Sequence, residues 1–194
     1  MRALHERGEM TAVAEGALRE YGPEVLGLLV ALLRDHVAAS DVYADFCSSL
    51  WVGLSRFRWE SSLRTWSYTI ARNAAARFRR DPLRRRGITL GDCPEVEEIV
   101  AHPRTATATF RRTEMKESLS ALRRSLDPDD QMLLVLRVDR ALAWDDIARI
   151  MSGDGETADD AATRRRAAAA LRKRFERIKE EIRSRVASQP LAVS

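Results

Sequence analysis

The stretch "WSYTIARNAAARFRR", Trp66 to Arg80, decides how this chain is read. It has a helical period, yet it carries a Trp, a Tyr, an Asn and four arginines. With Trp66 at zero on a wheel of about 100° per residue, Leu63, Ser67, Ile70, Ala74 and Phe78 centre near about 80° and form a core face. Asn73, Arg77 and Arg80 fall within about 40° of Trp66 and make a second stripe beside that face. An aromatic can stack on an unpaired base, an amide can bond its edge, and arginines can hold the flanking phosphates. The stripe therefore suits single-stranded nucleic acid. Periodicity alone fits a core tryptophan beside a solvated arginine face equally well.

Charge supports a polyanion contact. The net charge is only +4, but Arg56 to Arg86 carries +8 and Ala161 to Arg185 carries +7, so the other residues sum to −11. Two separated basic blocks in an otherwise acidic chain point to two contacts with nucleic acid. The alternative is two solvated helix faces. Cys47 and Cys93 form no CxxC, and His5, His36 and His102 do not cluster with them, so no metal or other cofactor is expected. The longest apolar run, Val25 to Leu33, is too short to span a bilayer, and a soluble, cytoplasmic protein is expected.

Outward from Trp66–Arg80, the pattern predicts an all-α fold of two small helical domains. Residues 1–14 read as a frayed tail, and Gly22-Pro23 as punctuation that starts a helix running to about Asp35. Ser40 or Asp41 can cap a second helix reaching Leu54. Ser61-Ser62 starts the third helix, and Asp81-Pro82 stops it. These elements give a first domain over 15–82. Residues 83–110, with Gly87, Gly91, Pro94 and Pro103, read as a linker. A second domain spans 111–188, and 189–194 form a tail.

In the second domain Trp144 to Met151, a glycine break and a basic helix have the form of a helix-turn-helix. Leu171, Phe175, Ile178 and Ile182 make the seam of the last helix. Arg164 falls on the core phase, so the reading doubts one continuous helix from Thr163. Heptad spacing of the same seam also fits an amphipathic helix in a bundle.

"DVYADFCSSLWVGLSRFRWESSLRTWSYTIARN", Asp41 to Asn73, resembles region 2 of bacterial extracytoplasmic-function sigma factors, in the sigma-70 family. "LDPDDQMLLVLRVDRALAWDDIARIM", Leu126 to Met151, and "LRKRFERIKEEIR", Leu171 to Arg183, resemble region 4. The resemblance implies a non-enzymatic transcription initiation factor. It implies that Asp41, Asp45, Leu50 and Trp51 dock on the clamp helices of the largest subunit of core RNA polymerase, with the flap as a further contact. It implies that Trp59, Glu60, Ser61 and Ser62 form a specificity loop that captures a flipped base of the minus-ten element. Trp66 and Asn73 join that site, with Arg77 and Arg80 on the same stripe. Arg172, Lys173, Arg174, Arg177 and Lys179 fall to the minus-thirty-five reader. Partners are then core polymerase, promoter DNA and an anti-sigma factor, with no membrane insertion.

Five features depart from the family pattern. Ala44 and Cys47 replace the usual Gln and Phe of the clamp motif, Trp59 replaces a Gly, and Ser67 replaces a Leu. Ser152 to Ala170 is an insertion, read either as a surface extension or as extra phosphate contacts through Arg164, Arg165 and Arg166. The rival reading is a sigma-like interaction protein that binds polymerase or a regulator without starting transcription. A plain helix-turn-helix repressor would not need Trp66 and Asn73. An enzyme is least supported, because capping and dipole effects account for Asp145-Asp146 and Asp159-Asp160.

Overall fold

The structure, a computed structural model, describes residues 1–82, 125–153 and 160–188. Its helices are α1 (Arg2–Glu6), α2 (Met10–Leu33), α3 (His36–Leu54), α4 (Leu63–Arg80), α5 (Pro128–Leu134), α6 (Trp144–Ser152) and α7 (Ala161–Ser188). A π-helical turn, Val135–Asp139, continues α5. No strand occurs among the described residues, as the all-α reading requires. The 83–110 linker, residues 111–124 and the 189–194 tail lie outside the described residues, as does Cys93.

The chain divides into two compact units: α1 to α4 lie in the first, and α5, the first half of α6 and α7 in the second. In the first, α2, α3 and α4 pack on one another around Leu28, Leu29, Val42, Phe46, Leu50, Leu54 and Tyr68, all at most 1% exposed. Each such side chain contributes about 1.5–3 kcal/mol by leaving water. Polar groups tie α4 to α2. The Tyr68 hydroxyl donates to Glu24 Oε2 at 2.8 Å, and Arg64 Nε and Nη2 donate to the two Glu24 oxygens at 3.0 and 3.1 Å.

Three expectations about this unit are corrected. Residues 1–14 are not a frayed tail: α1 forms, α2 begins at Met10, and Val13 and Ala14 are buried. Pro23 does not start a helix but sits inside α2. A mid-helix proline costs about 3 kcal/mol, which the buried stripe of α2 on either side of it can offset. Its neighbour Gly22 is buried where an added Cβ would lie 2.5 Å from Tyr43 Oη, so the pair marks a close approach of α2 to α3. Finally, α3 is capped by Asp35, not by Ser40 or Asp41: its carboxylate accepts from the amides of Val37 at 2.9 Å and Ala38 at 3.1 Å. The α4 boundaries agree with the sequence: Ser62 Oγ accepts from Thr65 N at 3.0 Å, and Asp81 leaves the helix in an extended conformation.

In the second unit Asp127 caps α5 by accepting from Asp129 N at 2.9 Å, with Pro128 in the first turn. Met132, Leu133, Leu136, Ile147, Phe175 and Ile178 are buried. The doubt about a continuous final helix is also corrected. From Ala161 to Ser188, α7 is a single helix. Arg164 does fall on its inner face, but Arg164 Nε meets Asp145 Oδ2 of α6 at 3.4 Å, so the charge is paired there. Much of the 152–170 insertion is thus an N-terminal extension of α7.

Candidate functional site

Three surfaces carry the sequence-predicted residues. The first is the outer face of α3. Asp41 is exposed, Asp45 is half-buried, and Trp51 is 53% exposed. Leu50 does not belong with them: it is 1% exposed and packs in the core with Val42, Phe46 and Leu54. The wheel could have shown this, because Leu50 lies about 180° from Asp41. Val52, which sequence reasoning missed, takes its place at 69% exposed, one turn beyond Ser48 on the Asp41–Asp45 stripe. Trp51 and Val52 thus expose two large apolar side chains to water on the helix that carries Asp41 and Asp45.

The second surface joins the 57–62 loop to α4. Trp66 is half-buried and stacks on Phe57, with centroids 4.7 Å apart and an interplanar angle of 27°. Phe57 in turn meets Trp59 at 5.0 Å. A Cβ on Gly53 would lie 2.8 Å from the Trp66 ring, so a glycine in α3 makes room for it. One face of Trp66 is therefore packing, and the rest stays open. Trp59 has φ +59°, the left-handed region that favours glycine, which explains the Gly of the family pattern at this position. Here the strain is held by packing. The His5 ring meets Trp59 edge-on at 5.7 Å, while His5 Nε2 lies 2.8 Å from the Leu54 carbonyl. Neither His5 nor Phe57 was singled out in sequence, and His5 carries no local signal for this role.

Within the loop, Glu60 is exposed and lies 3.9 Å from Arg58 Nη1, an open pair of little energetic value. Ser61 is half-buried, and Ser62 is committed to capping α4. Further along α4, Asn73 is half-buried, whereas Arg77 and Arg80 are exposed. The stripe from Trp66 to Arg80 is about 21 Å long at 1.5 Å per residue.

The third surface is α7. Its ten cations sort by partner. Arg164, Arg174, Lys179, Arg183 and Arg185 each face a carboxylate: Asp145, Asp130, Glu176, Glu180 and Glu181. Arg165, Arg166, Arg172, Lys173 and Arg177 have no carboxylate partner among the described residues, and all five are exposed. On the wheel these five fall within one arc of about 140°, opposite the Phe175–Ile178 seam. Of the five predicted duplex readers, Arg172, Lys173 and Arg177 therefore lie together on an open face. Arg174 is half-buried and holds α7 to the start of α5, with Asp127 at 3.6 Å as a second partner. Lys179 meets Glu176 at 2.7 Å and lies over the Phe175 ring. Arg172 lies over the face of Trp144, 5.7 Å from its centroid, which orients the start of α6 against α7.

Among the described residues no cluster of His, Cys, Asp or Glu is placed to hold a metal ion, and no helix is long and apolar enough to cross a membrane.

Residues 17–86 match the family model described as Sigma-70 region 2, which covers α3, α4 and most of α2. The chain is 29% identical over 153 residues to the RNA polymerase sigma-H factor of Pseudomonas aeruginosa, covering 75% of this chain and 78% of that protein. It is 28% identical over 177 residues to the RNA polymerase sigma factor YlaC of Bacillus subtilis, covering 87% and 95%. Its fold is similar to that of the sigma factor RpoE, solved in complex with the anti-sigma factor NepR from Bartonella quintana. The TM-score is 0.54 and the identity 18%, over 86% of this chain and 96% of that one.

Proposed function

We propose that this chain, a member of the sigma-70 family, is a transcription initiation factor that binds core RNA polymerase and directs it to promoters. The observation that carries this reading is a coincidence. The residues matched by the region 2 model contain both the exposed Trp51–Val52 face of α3 and the Trp66–Asn73–Arg77–Arg80 stripe of α4.

The work divides between the two units. The outer face of α3, with Asp41, Asp45, Trp51 and Val52, docks on the clamp helices of the largest polymerase subunit. The open face of α7, with Arg172, Lys173 and Arg177, enters the major groove of the minus-thirty-five duplex, a groove wide enough to admit a helix. The 59–62 loop and α4 take unpaired minus-ten bases. A flipped base leaves its stack at a cost of a few kcal/mol. Contacts made only with the extruded base offset that cost, so capture drives local opening. Arg77 and Arg80 hold the adjoining phosphates. The chemistry of RNA synthesis belongs to the polymerase. An anti-sigma factor is a further partner, by analogy with the solved complex of RpoE.

The test separates docking from opening. Asn73→Ala and Arg77→Ala, in holoenzyme, reduce open-complex formation on a promoter more than they reduce affinity for core polymerase. Equal loss of both activities counts against the assigned roles.

A further inference from the structure

We propose that the N-terminal extension of α7 is a phosphate-binding arm, in which Arg165 and Arg166 contact the backbone of duplex DNA beside the groove that α7 enters. The inference rests on the reading of α7 as the duplex reader and adds residues to it.

Three observations carry it. First, the extension is fixed helix. Asp160 accepts from Thr163 N at 2.9 Å, from Thr163 Oγ1 at 2.9 Å and from Ala162 N at 3.3 Å, which closes the first turn. Arg164 is half-buried with its Nε 3.4 Å from Asp145 Oδ2, and Ala168 is buried one turn later. The inner face of these added turns is thereby set, and Arg165 and Arg166 must point away from the unit.

Second, the outward face continues the one already described. Arg165 and Arg166 share the arc of Arg172, Lys173 and Arg177, and like them they lack a carboxylate partner among the described residues. No acidic residue occurs in α7 before Glu176. The acids that neutralise Lys179, Arg183 and Arg185 all lie in its second half. The uncompensated cations thus run from Arg165 to Arg177, about 18 Å along the helix.

Third, the surroundings suit a polyanion. The exposed residues between Arg166 and Arg172 are Ala169 and Ala170, with Ala161, Ala162 and Thr163 at the start, and Glu176, which meets Lys179, is the one exposed acid between Lys173 and Arg177. Small side chains let a sugar-phosphate backbone approach, and they offer no large apolar anchor of the kind a protein partner would fill.

Salt dependence of binding provides the test. The full-length chain and its variants are titrated on one fixed, labelled 30-base-pair DNA duplex over a range of KCl concentrations. Each lost phosphate contact lowers the slope of log K against log [salt] by about 0.9. R165A/R166A therefore lowers the slope by about 2 and weakens binding on the order of tenfold, and R165K/R166K restores most of the slope. Helicity by circular dichroism checks that α7 persists. If R172A/K173A lowers the slope and R165A/R166A does not, the arm is wrong while the duplex reading stands. If neither pair matters, the duplex reading fails and the arm with it. If R165A/R166A weakens only assembly with core polymerase, the extension serves a protein contact and the proposal is overturned.

Discussion

Trp66 lies stacked on Phe57, with the two ring centroids 4.7 Å apart, and so α4 and the loop that precedes it are one packed unit. The residue proposed to meet an unpaired base is also a structural support. Loss of function on removing Trp66 must therefore be read beside loss of stability. Trp66→Ala is expected to cost about 2–3 kcal/mol in urea unfolding, below the range for a fully buried Trp because the ring is only half covered. Trp66→Phe keeps the stack and costs less than about 1.5 kcal/mol. If base stacking is its function, Trp66→Phe retains most promoter opening and Trp66→Ala does not.

The left-handed backbone at Trp59 makes a second, cleaner comparison. Trp59→Ala removes the ring from Phe57 and His5 but leaves the strained φ. Trp59→Gly removes the ring and relieves the strain. The glycine variant is expected to be more stable than the alanine variant by about 1 kcal/mol, the reverse of their order in a helix. Paired chemical denaturation curves measure this directly. Equal stabilities would argue that the loop does not hold this conformation.

Leu50 and Trp51 are neighbours with opposite fates. Leu50→Ala opens a cavity in the first unit and costs about 2–5 kcal/mol. Trp51→Ala changes stability by no more than about 0.5 kcal/mol, since the ring is mostly in water, but weakens binding to core polymerase. A thermal melt and a core-binding titration on the two variants separate the roles. The opposite pattern would move the docking face elsewhere.

Asp160 gives the account a pH signature. The Thr163 hydroxyl and the amides of Thr163 and Ala162 hold its carboxyl below the usual carboxylate value. The folded value is lower than the unfolded one, so the cap's contribution is full above the ordinary Asp range, about 3.9, and is lost as pH falls through the depressed folded value. Wild type is therefore expected to be more helical than Asp160→Ala near neutral pH, and the difference to narrow below about pH 4. A difference that stays constant through that window would remove the carboxylate from the cap.

The α4 helix was legible because its signals are local: a serine cap, an apolar period of 3.6, and an Asp-Pro stop. Two misreadings, Leu50 and the Asp35 cap, were local and avoidable; the others share a cause, which is that the deciding partner is distant in sequence. Gly22-Pro23 reads as punctuation until Tyr43 is placed beside it. Residues 1–14 read as a tail because Val13 and Ala14 are small, and their burial depends on neighbouring helices. Arg164 reads as a helix break until Asp145 comes to meet it. Composition showed two basic blocks, but not which cations stay free. That distinction needed the carboxylates facing Arg174 and Lys179. His5 could not be found at all, since its role exists only once α1 folds against the loop.

The central claim is that this chain starts transcription, and reconstitution tests it most directly. The purified chain is mixed with sigma-free bacterial core polymerase and genomic fragments of its own host, and transcript 5′ ends are sequenced. The account predicts discrete starts that share a spaced pair of upstream motifs and disappear when the chain is omitted. Stable binding to core polymerase with no such starts would contradict it and leave a polymerase-binding regulator in its place.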